Sequence, residues 1–160
     1  METRGGYRIR NKSQLHFLTL TVVEWVDVFT KKFYREILMD SLQHCQKQKD
    51  LLIHSYCLMS NHVHLILSAK NDNLSDILRD FKTFTSKRII RSIENNAGEH
   101  RKDWMLQVFR KNGCCNQRNH SYQFWIQDNH PEELYAPTFT LQKLNYITHE
   151  SCSCGYSGEA

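Results

Sequence analysis

No apolar run in this chain approaches the ~20 residues that a membrane-spanning helix needs, so no transmembrane segment is expected. The opening residues, "METRGGYRIRNKSQ", are polar and lack the hydrophobic core of a secretory signal. A disulfide framework is lacking too, although the chain has six cysteines. Four of them fall in two tight clusters, Cys114-Cys115 and Cys152-x-Cys154, and Cys45 and Cys57 lie in apolar-periodic segments. That spacing suits a reduced, cytoplasmic chain better than a secreted scaffold. Neither sign of charge dominates: the net charge is +4 and the pI about 8.7. Such a balance permits a polyanionic partner without requiring one. Internal repeats and interdomain linkers are also missing, so the 160 residues read as one domain with a core of its own.

What is present is a clear succession of elements. "LHFLTLTVV" (15–23) alternates and is rich in β-branched and aromatic residues, as a strand should be. "KKFYREILMDSLQHCQKQ" (31–48) spaces Phe33, Ile37, Leu38, Leu42 and Cys45 as a helix does. "LLIHSYCLMS" (51–60) and "HVHLILSA" (62–69) read as a hairpin turning at Ser60-Asn61. Residues 73–94 form a long amphipathic helix with Leu74, Ile77, Leu78, Phe81, Phe84 and Ile89 on its buried stripe. Residues 95–120 read as a loop around "WMLQVF", "SYQFWIQ" (121–127) as a fourth strand, and 138–150 as a last helix. The order β-α-β-β-α-β-α predicts an α+β fold: a ferredoxin-like split βαβ sandwich with a small antiparallel sheet, helices on one face and an added C-terminal helix.

The stretch "YCLMSNHVHLIL" (56–67) carries the chemistry. His62 and His64 are two apart on a strand, so both imidazoles share one face while Val63 points to the core. Two ring nitrogens on one rigid face make half of a metal site, suited to Mn²⁺ and other transition ions as well as Mg²⁺. Glu150, Asn145, Gln142 and Gln127 are candidates for a third ligand. A pair of polar residues on an exposed sheet face explains the same pattern. Basic residues gather in three places: Arg8, Arg10 and Lys12; Lys82, Lys87, Arg88 and Arg91; and Arg101, Lys102, Arg110, Lys111 and Arg118. Solvated surface charge accounts for them equally well.

Taken with its flanks, "YCLMSNHVHLIL" resembles the catalytic strand of the single-tyrosine HUH transposases, and most of all the REP-associated tyrosine transposase branch. "HFLTLTVVEWVDVFT" is similar to that family's first strand, "LSDILRDFKTFTSKRII" to its helix after the HUH strand, and "QKLNYI" to the helix presenting its nucleophile. "YQFWIQDNHPEELY" resembles its Trp-Gln strand, with Ile126 set between Trp125 and Gln127. The likeness spans residues 14 to 147. It implies that Tyr146 is the nucleophile and that His62 and His64 bind a divalent metal, Mg²⁺ or Mn²⁺. It also implies cleavage and rejoining of single-stranded hairpin DNA through a 5′ phosphotyrosine. Arg8, Arg10, Lys12, Lys82, Lys87, Arg88, Arg110, Lys111 and Arg118 are then DNA-binding candidates. Trp25, Trp104, Trp125, Phe109 and Tyr122 become candidates for stacking on bases. The family is often dimeric, so a homodimer is expected. Without the resemblance Tyr146 reads as a core residue, and Tyr135 is the runner-up nucleophile.

The tail departs from the pattern. After Ile147 the family reads much like H-x-N-P-V-x-A-G, whereas this chain reads "THESCSCGYSGEA". Codons exist for that tail which, read one base later, spell H-M-N-P-V-V-A-G-I-V-E-K. Residues 1–150 are therefore expected to form a single HUH-type domain, and 151–160 a divergent, out-of-frame tail. Glu150 stands where the family's asparagine would, one helical turn after Tyr146, and still offers oxygen as the third metal ligand. Two rivals remain: a replication-initiator or relaxase type of HUH nuclease, and a catalytically impaired or domesticated hairpin-binding module.

Overall fold

The computed structural model describes residue 9, residues 14–114 and residues 121–152, without the side chains of residues 150–152. Strand β1 (His16–Thr21) is followed by two short 3₁₀ turns, Val23–Trp25 and Val28–Thr30. Helix α1 (Lys32–Gln48) then leads to the hairpin of β2 (Leu51–Leu58) and β3 (His62–Ala69). Helices α2 (Leu74–Asn95) and α3 (Lys102–Cys114), the two-residue strand β4 (Glu132–Glu133) and helix α4 (Pro137–Cys152) complete the order. The sheet runs β2-β3-β1-β4 with all neighbours antiparallel, so β3 splits the β1-α1-β2 unit as predicted. Among the described residues no helix is long and apolar enough to cross a membrane.

Alternation along the two central strands creates two faces. Leu18 and Leu20 of β1 and Val63, Leu65 and Leu67 of β3 join α1, α2 and α3 in the main core. Phe17 of β1, Cys57 of β2 and Ile66 of β3 look the other way and meet Leu134 and Ile147 in a smaller cluster beneath α4. The sheet thus holds three helices on one side and the fourth on the other.

Each helix buries one stripe, not always at the expected positions. On α1 the stripe is Tyr34, Ile37, Leu38, Ser41, Leu42 and Cys45. Phe33 is left exposed, because Tyr34 takes the inward place and donates its hydroxyl to the buried Glu99. On α2 the inward place expected for Phe84 belongs to Thr85. Its hydroxyl accepts the indole N–H of buried Trp125 at 3.0 Å, which gives that ring the polar partner it needs. Trp125 and Phe109 are core residues, whereas Trp25 and Trp104 are exposed.

Two expectations fail. Residues 102–114 form helix α3 within the stretch expected to be a loop, burying Met105, Leu106, Phe109 and Gly113 at helical spacing. The fourth strand is not 121–127. That segment meets the sheet through one bridge, Trp125 to Val22, and β4 pairs further along with His16 and Phe17. Five steps along β1, from Val22 back to Phe17, face seven along the edge, from Trp125 to Glu132. The two extra residues are absorbed by a bulge over 127–131, where the Asn129 carbonyl still accepts the Thr19 N–H at 3.3 Å, His130 has a φ of 42° and Pro131 has no N–H to give a ladder.

Lys82 holds that bulge. Its ammonium donates to the Ile126 carbonyl at 2.9 Å, the Gln127 carbonyl at 3.4 Å and Asn129 Oδ1 at 2.7 Å. The residue expected at a phosphate thus turns inward and spends its three donors on the chain. Burial pulls its pKa from 10.5 down to about 8, with Asp128 opposing the shift. Lys82→Met strands the partly buried Ile126 and Asn129 acceptors and leaves the exposed Gln127 carbonyl to water, and should cost about 2 kcal/mol in urea denaturation. The sign of the pH effect is fixed by linkage. Between pH 8 and 10.5 the folded amine binds fewer protons than the unfolded one, so this group adds stability as pH rises. The gap between wild type and Lys82→Met should widen across that window.

Candidate active site

The α4 face of the sheet carries the paired histidines. β1 and β3 are in register with Thr19 opposite His64 and Thr21 opposite His62. On its other side His64 faces Cys57 of β2. The two imidazole centroids lie 4.7 Å apart. His62 is half-buried, but His64 is 5 % exposed, more enclosed than a ring on an open sheet face.

Each ring is fixed through Nδ1. His62 Nδ1 meets Asn61 Oδ1 at 2.6 Å, and His64 Nδ1 meets Thr19 Oγ1 at 2.7 Å. An amide oxygen only accepts, so His62 carries its proton on Nδ1 and the neutral ring's lone pair falls on Nε2. Metal-binding histidines are oriented by this kind of outer partner. Phe17 stacks on His64 at 5.5 Å with an interplanar angle of 20°.

Helix α4 brings a phenol to the pair. The Tyr146 ring stands edge-on to His64 at 5.3 Å and to Phe17 at 6.3 Å. It is 46 % exposed, so it borders the core without being sealed in it. Lys143, one turn earlier, clamps the helix down. Its ammonium pairs with Glu132 of β4 at 2.8 Å and sits 4.4 Å over the Phe17 ring. The two-residue strand β4 therefore supplies the acid that docks α4. Tyr135 is 81 % exposed, and its ring contact is with Phe139 at 6.1 Å.

The pair suits a divalent ion in ligand type, and His62 in tautomer, though among the described residues no three His, Cys, Asp or Glu side chains converge on one point. Of the other candidates, Gln142 and Asn145 are exposed on α4, and Gln127 is exposed in the bulge. Glu150 falls on α4 one turn after Tyr146, with its side chain outside the described residues.

The expected DNA contacts separate. Lys87 and Arg88 line an open groove of about 920 Å³ with Arg91, Phe33 and Phe84, and Arg88 lies 5.8 Å over the Phe84 ring. That groove lies on the helical layer, across the sheet from Tyr146. Arg110, exposed on α3, packs on Tyr122 at 5.3 Å and donates to its hydroxyl, and Lys111 is exposed beside it. Arg8, Arg10, Lys12 and Arg118 lie outside the described residues.

The family model described as "Transposase IS200 like" matches residues 10–112, more than half of the chain and both histidines. The chain belongs to the IS200-like transposase family. The family is one of DNA-processing enzymes. Solved structures agree on the fold. A REP-associated tyrosine transposase bound to a REP hairpin superposes with a TM-score of 0.62 at 13 % identity, covering 96 % of this chain and 76 % of that one. A proposed transposase from Deinococcus radiodurans R1 superposes with a TM-score of 0.50 at 15 % identity, covering 93 % of this chain and 97 % of that one. No curated protein matches the sequence. Tyr146 falls beyond the residues matched to the IS200-like family, so its position here is known from α4 alone.

The sequence singles out the histidines and the tyrosine, which the structure brings together, but not Phe17, Thr19 and Asn61, which pack on or bond to them, nor Lys143, which sits over Phe17. Phe17, Thr19 and Thr21 do announce a common face by their spacing. Nothing in β1 alone says that β3 lies beside it.

Proposed function

We propose that the chain is a metal-dependent single-strand DNA transesterase that cleaves and rejoins hairpin DNA. The carrying observation is that one chain brings the Tyr146 phenol to the face of the two oriented imidazoles, 5.3 Å from His64 by ring centroids. In this reading the Tyr146 oxygen attacks a phosphodiester phosphorus. The new O–P bond leaves a 5′ phosphotyrosine, and the departing 3′ oxygen takes up a proton. The phenoxide is a good leaving group, so the linkage stays reactive and a 3′ hydroxyl can reverse the step. A free phenol has a pKa of about 10, so the attack needs charge stabilisation at the phosphate. His62 and His64, with an oxygen of Glu150, would hold Mg²⁺ or Mn²⁺, which supplies that stabilisation when bound. Lys143 and Phe17 keep α4 seated, and Thr19 and Asn61 hold the rings.

Lys87, Arg88 and Arg91 would neutralise hairpin phosphates along the outer groove, and Arg110 and Lys111 would extend that surface. Lys82 is left out of it. The tyrosine acts in cis, so a homodimer is not needed to complete the site. The unit ends near residue 150, and the reading frame is lost after Ile147, so Thr148–Glu150 and the tail 151–160 are out-of-frame peptide. The gene's nucleotide sequence tests this, since codons incompatible with the shifted reading end it.

The function itself is tested by incubating the protein with a panel of hairpin DNAs and Mn²⁺ or Mg²⁺. A covalent protein–DNA adduct on a denaturing gel is expected. Tight binding with no adduct under either ion would replace the transesterase with a hairpin-binding module, the reading the altered tail favours.

A further inference from the structure

The loop after β1 buries nearly every apolar side chain it owns. Val22, Val23, Val26, Val28 and Phe29 are each 3 % exposed or less. Trp25, the largest among them, is 62 % exposed. An indole offers more area to bury than any of these neighbours, so turning it outward forgoes the greatest single gain available to the loop. The backbone is also held in an uncommon state to present it. Glu24 and Trp25 have φ of 51° and 55°, the left-handed region that non-glycine residues seldom enter.

The loop is held in place from the hairpin that carries the histidines. Val22 N–H donates to the Asn61 carbonyl at 2.9 Å, and Phe29 N–H to the Ser60 carbonyl at 2.8 Å. Asn61 then joins Trp25 to the candidate active site. Its Nδ2 donates to the Trp25 carbonyl at 3.3 Å, while its Oδ1 takes the Nδ1 proton of His62. The Trp25 ring ends 6.0 Å from the His62 ring, at 77° to it. An exposed indole is thus fixed at the rim of the imidazole pair by the same side chain that sets the His62 tautomer.

We propose that Trp25 is a stacking platform for one unpaired nucleobase flanking the scissile phosphate, and so a specificity-determining residue of the site. This rests on the reading of the site as a single-strand DNA transesterase. A base stacks on an aromatic ring whatever its identity, so the platform selects unpaired over paired DNA more than it selects sequence. In a duplex both faces of a base are covered by its neighbours, and Trp25 has nothing to stack on. Seating the base fixes the adjoining phosphodiester relative to Tyr146.

The test uses the full chain and a labelled short oligothymidylate, with a backbone-matched abasic oligomer as control. Wild type, Trp25→Phe and Trp25→Ala are compared by fluorescence anisotropy. Trp25→Ala should weaken oligothymidylate binding about tenfold and Trp25→Phe clearly less, with the differences vanishing on the abasic strand. Equal loss on both strands would mean the residue acts through folding, and no loss would mean it contacts no base. Either result overturns the proposal. The adduct assay on wild type reads separately: an adduct with an indifferent Trp25→Ala sinks the platform alone. A stacking loss without any adduct sinks the transesterase, and with it the scissile phosphate, and leaves Trp25 a base-binding residue only.

Discussion

Tyr146→Phe should abolish the covalent protein–DNA adduct while leaving hairpin binding and thermal stability near wild type. The substitution removes one oxygen and keeps the ring. The edge-on packing against His64 at 5.3 Å and Phe17 at 6.3 Å is made by the ring and is kept by phenylalanine. The Lys143–Glu132 pair that docks α4 is untouched. Loss of the attacking atom should lower cleavage by at least about a thousandfold, as removal of a nucleophile does elsewhere. The control is Tyr135→Phe. Tyr135 is the more exposed phenol, and its ring packs on Phe139 rather than on a histidine. An adduct that survives Tyr146→Phe and disappears in Tyr135→Phe would move the nucleophile to the start of α4. The geometry around His64 would then have no part in the chemistry.

The parts of the fold that could be read in the sequence are those whose local pattern coincides with their tertiary burial. Strand β3 keeps its expected bounds, His62–Ala69, because its apolar residues feed cores on both faces of the sheet. Helices α1, α2 and α4 fall within two residues of their expected ends for a similar reason. Helix α3 was hidden by composition. Asn, Gly, Lys and Arg around it read as loop, although Met105, Leu106, Phe109 and Gly113 carry helical spacing. The fourth strand was displaced by a false signal. "SYQFWIQ" has the aromatic content of a strand, but Phe124 and Trp125 are consecutive and both join the core on the helical side of the sheet, whereas a pleat would send them to opposite faces. The true β4 is Glu132-Glu133, with no strand propensity, paired only because β1 leaves an open edge there.

The candidate site divides in the same way. Two histidines at i and i+2 announce a shared face from within one strand. Thr19 reaches His64 across 45 residues of sequence, and that register cannot be seen from either strand alone. Lys82 shows the opposite limit. A lysine on an amphipathic helix reads as surface charge, and only the bulge folded over it makes three oxygens converge on its ammonium. Spacing places Phe33 and Phe84 on helix stripes, yet they edge a groove with three cations. Spacing alone does not separate a buried aromatic from one left at the rim of its stripe.

The second large effect comes from the histidines, and the structure splits a pair that the sequence treats as equivalent. On a shared open face both rings would meet solvent, and alanine at either should spare the fold. His62 meets that description, and His62→Ala should end nicking while stability falls by about 1 kcal/mol or less, the share of its Asn61 bond and half-buried ring. His64 is 5 % exposed, stacks on Phe17 and bonds to Thr19. His64→Ala should end nicking too, but at a cost of about 2 kcal/mol, because it opens a cavity beneath α4 and strips the Thr19 hydroxyl of its partner. Urea denaturation reads the stability and a labelled hairpin reads the nicking. Mn²⁺ binding, followed by the loss of the free ion's paramagnetic signal, separates the roles. Both variants should bind Mn²⁺ at least about tenfold more weakly if the rings are ligands. If His62→Ala binds Mn²⁺ and nicks like wild type, the solvent-side imidazole is a bystander. The ion then has no place on this face, because one enclosed ring cannot hold it.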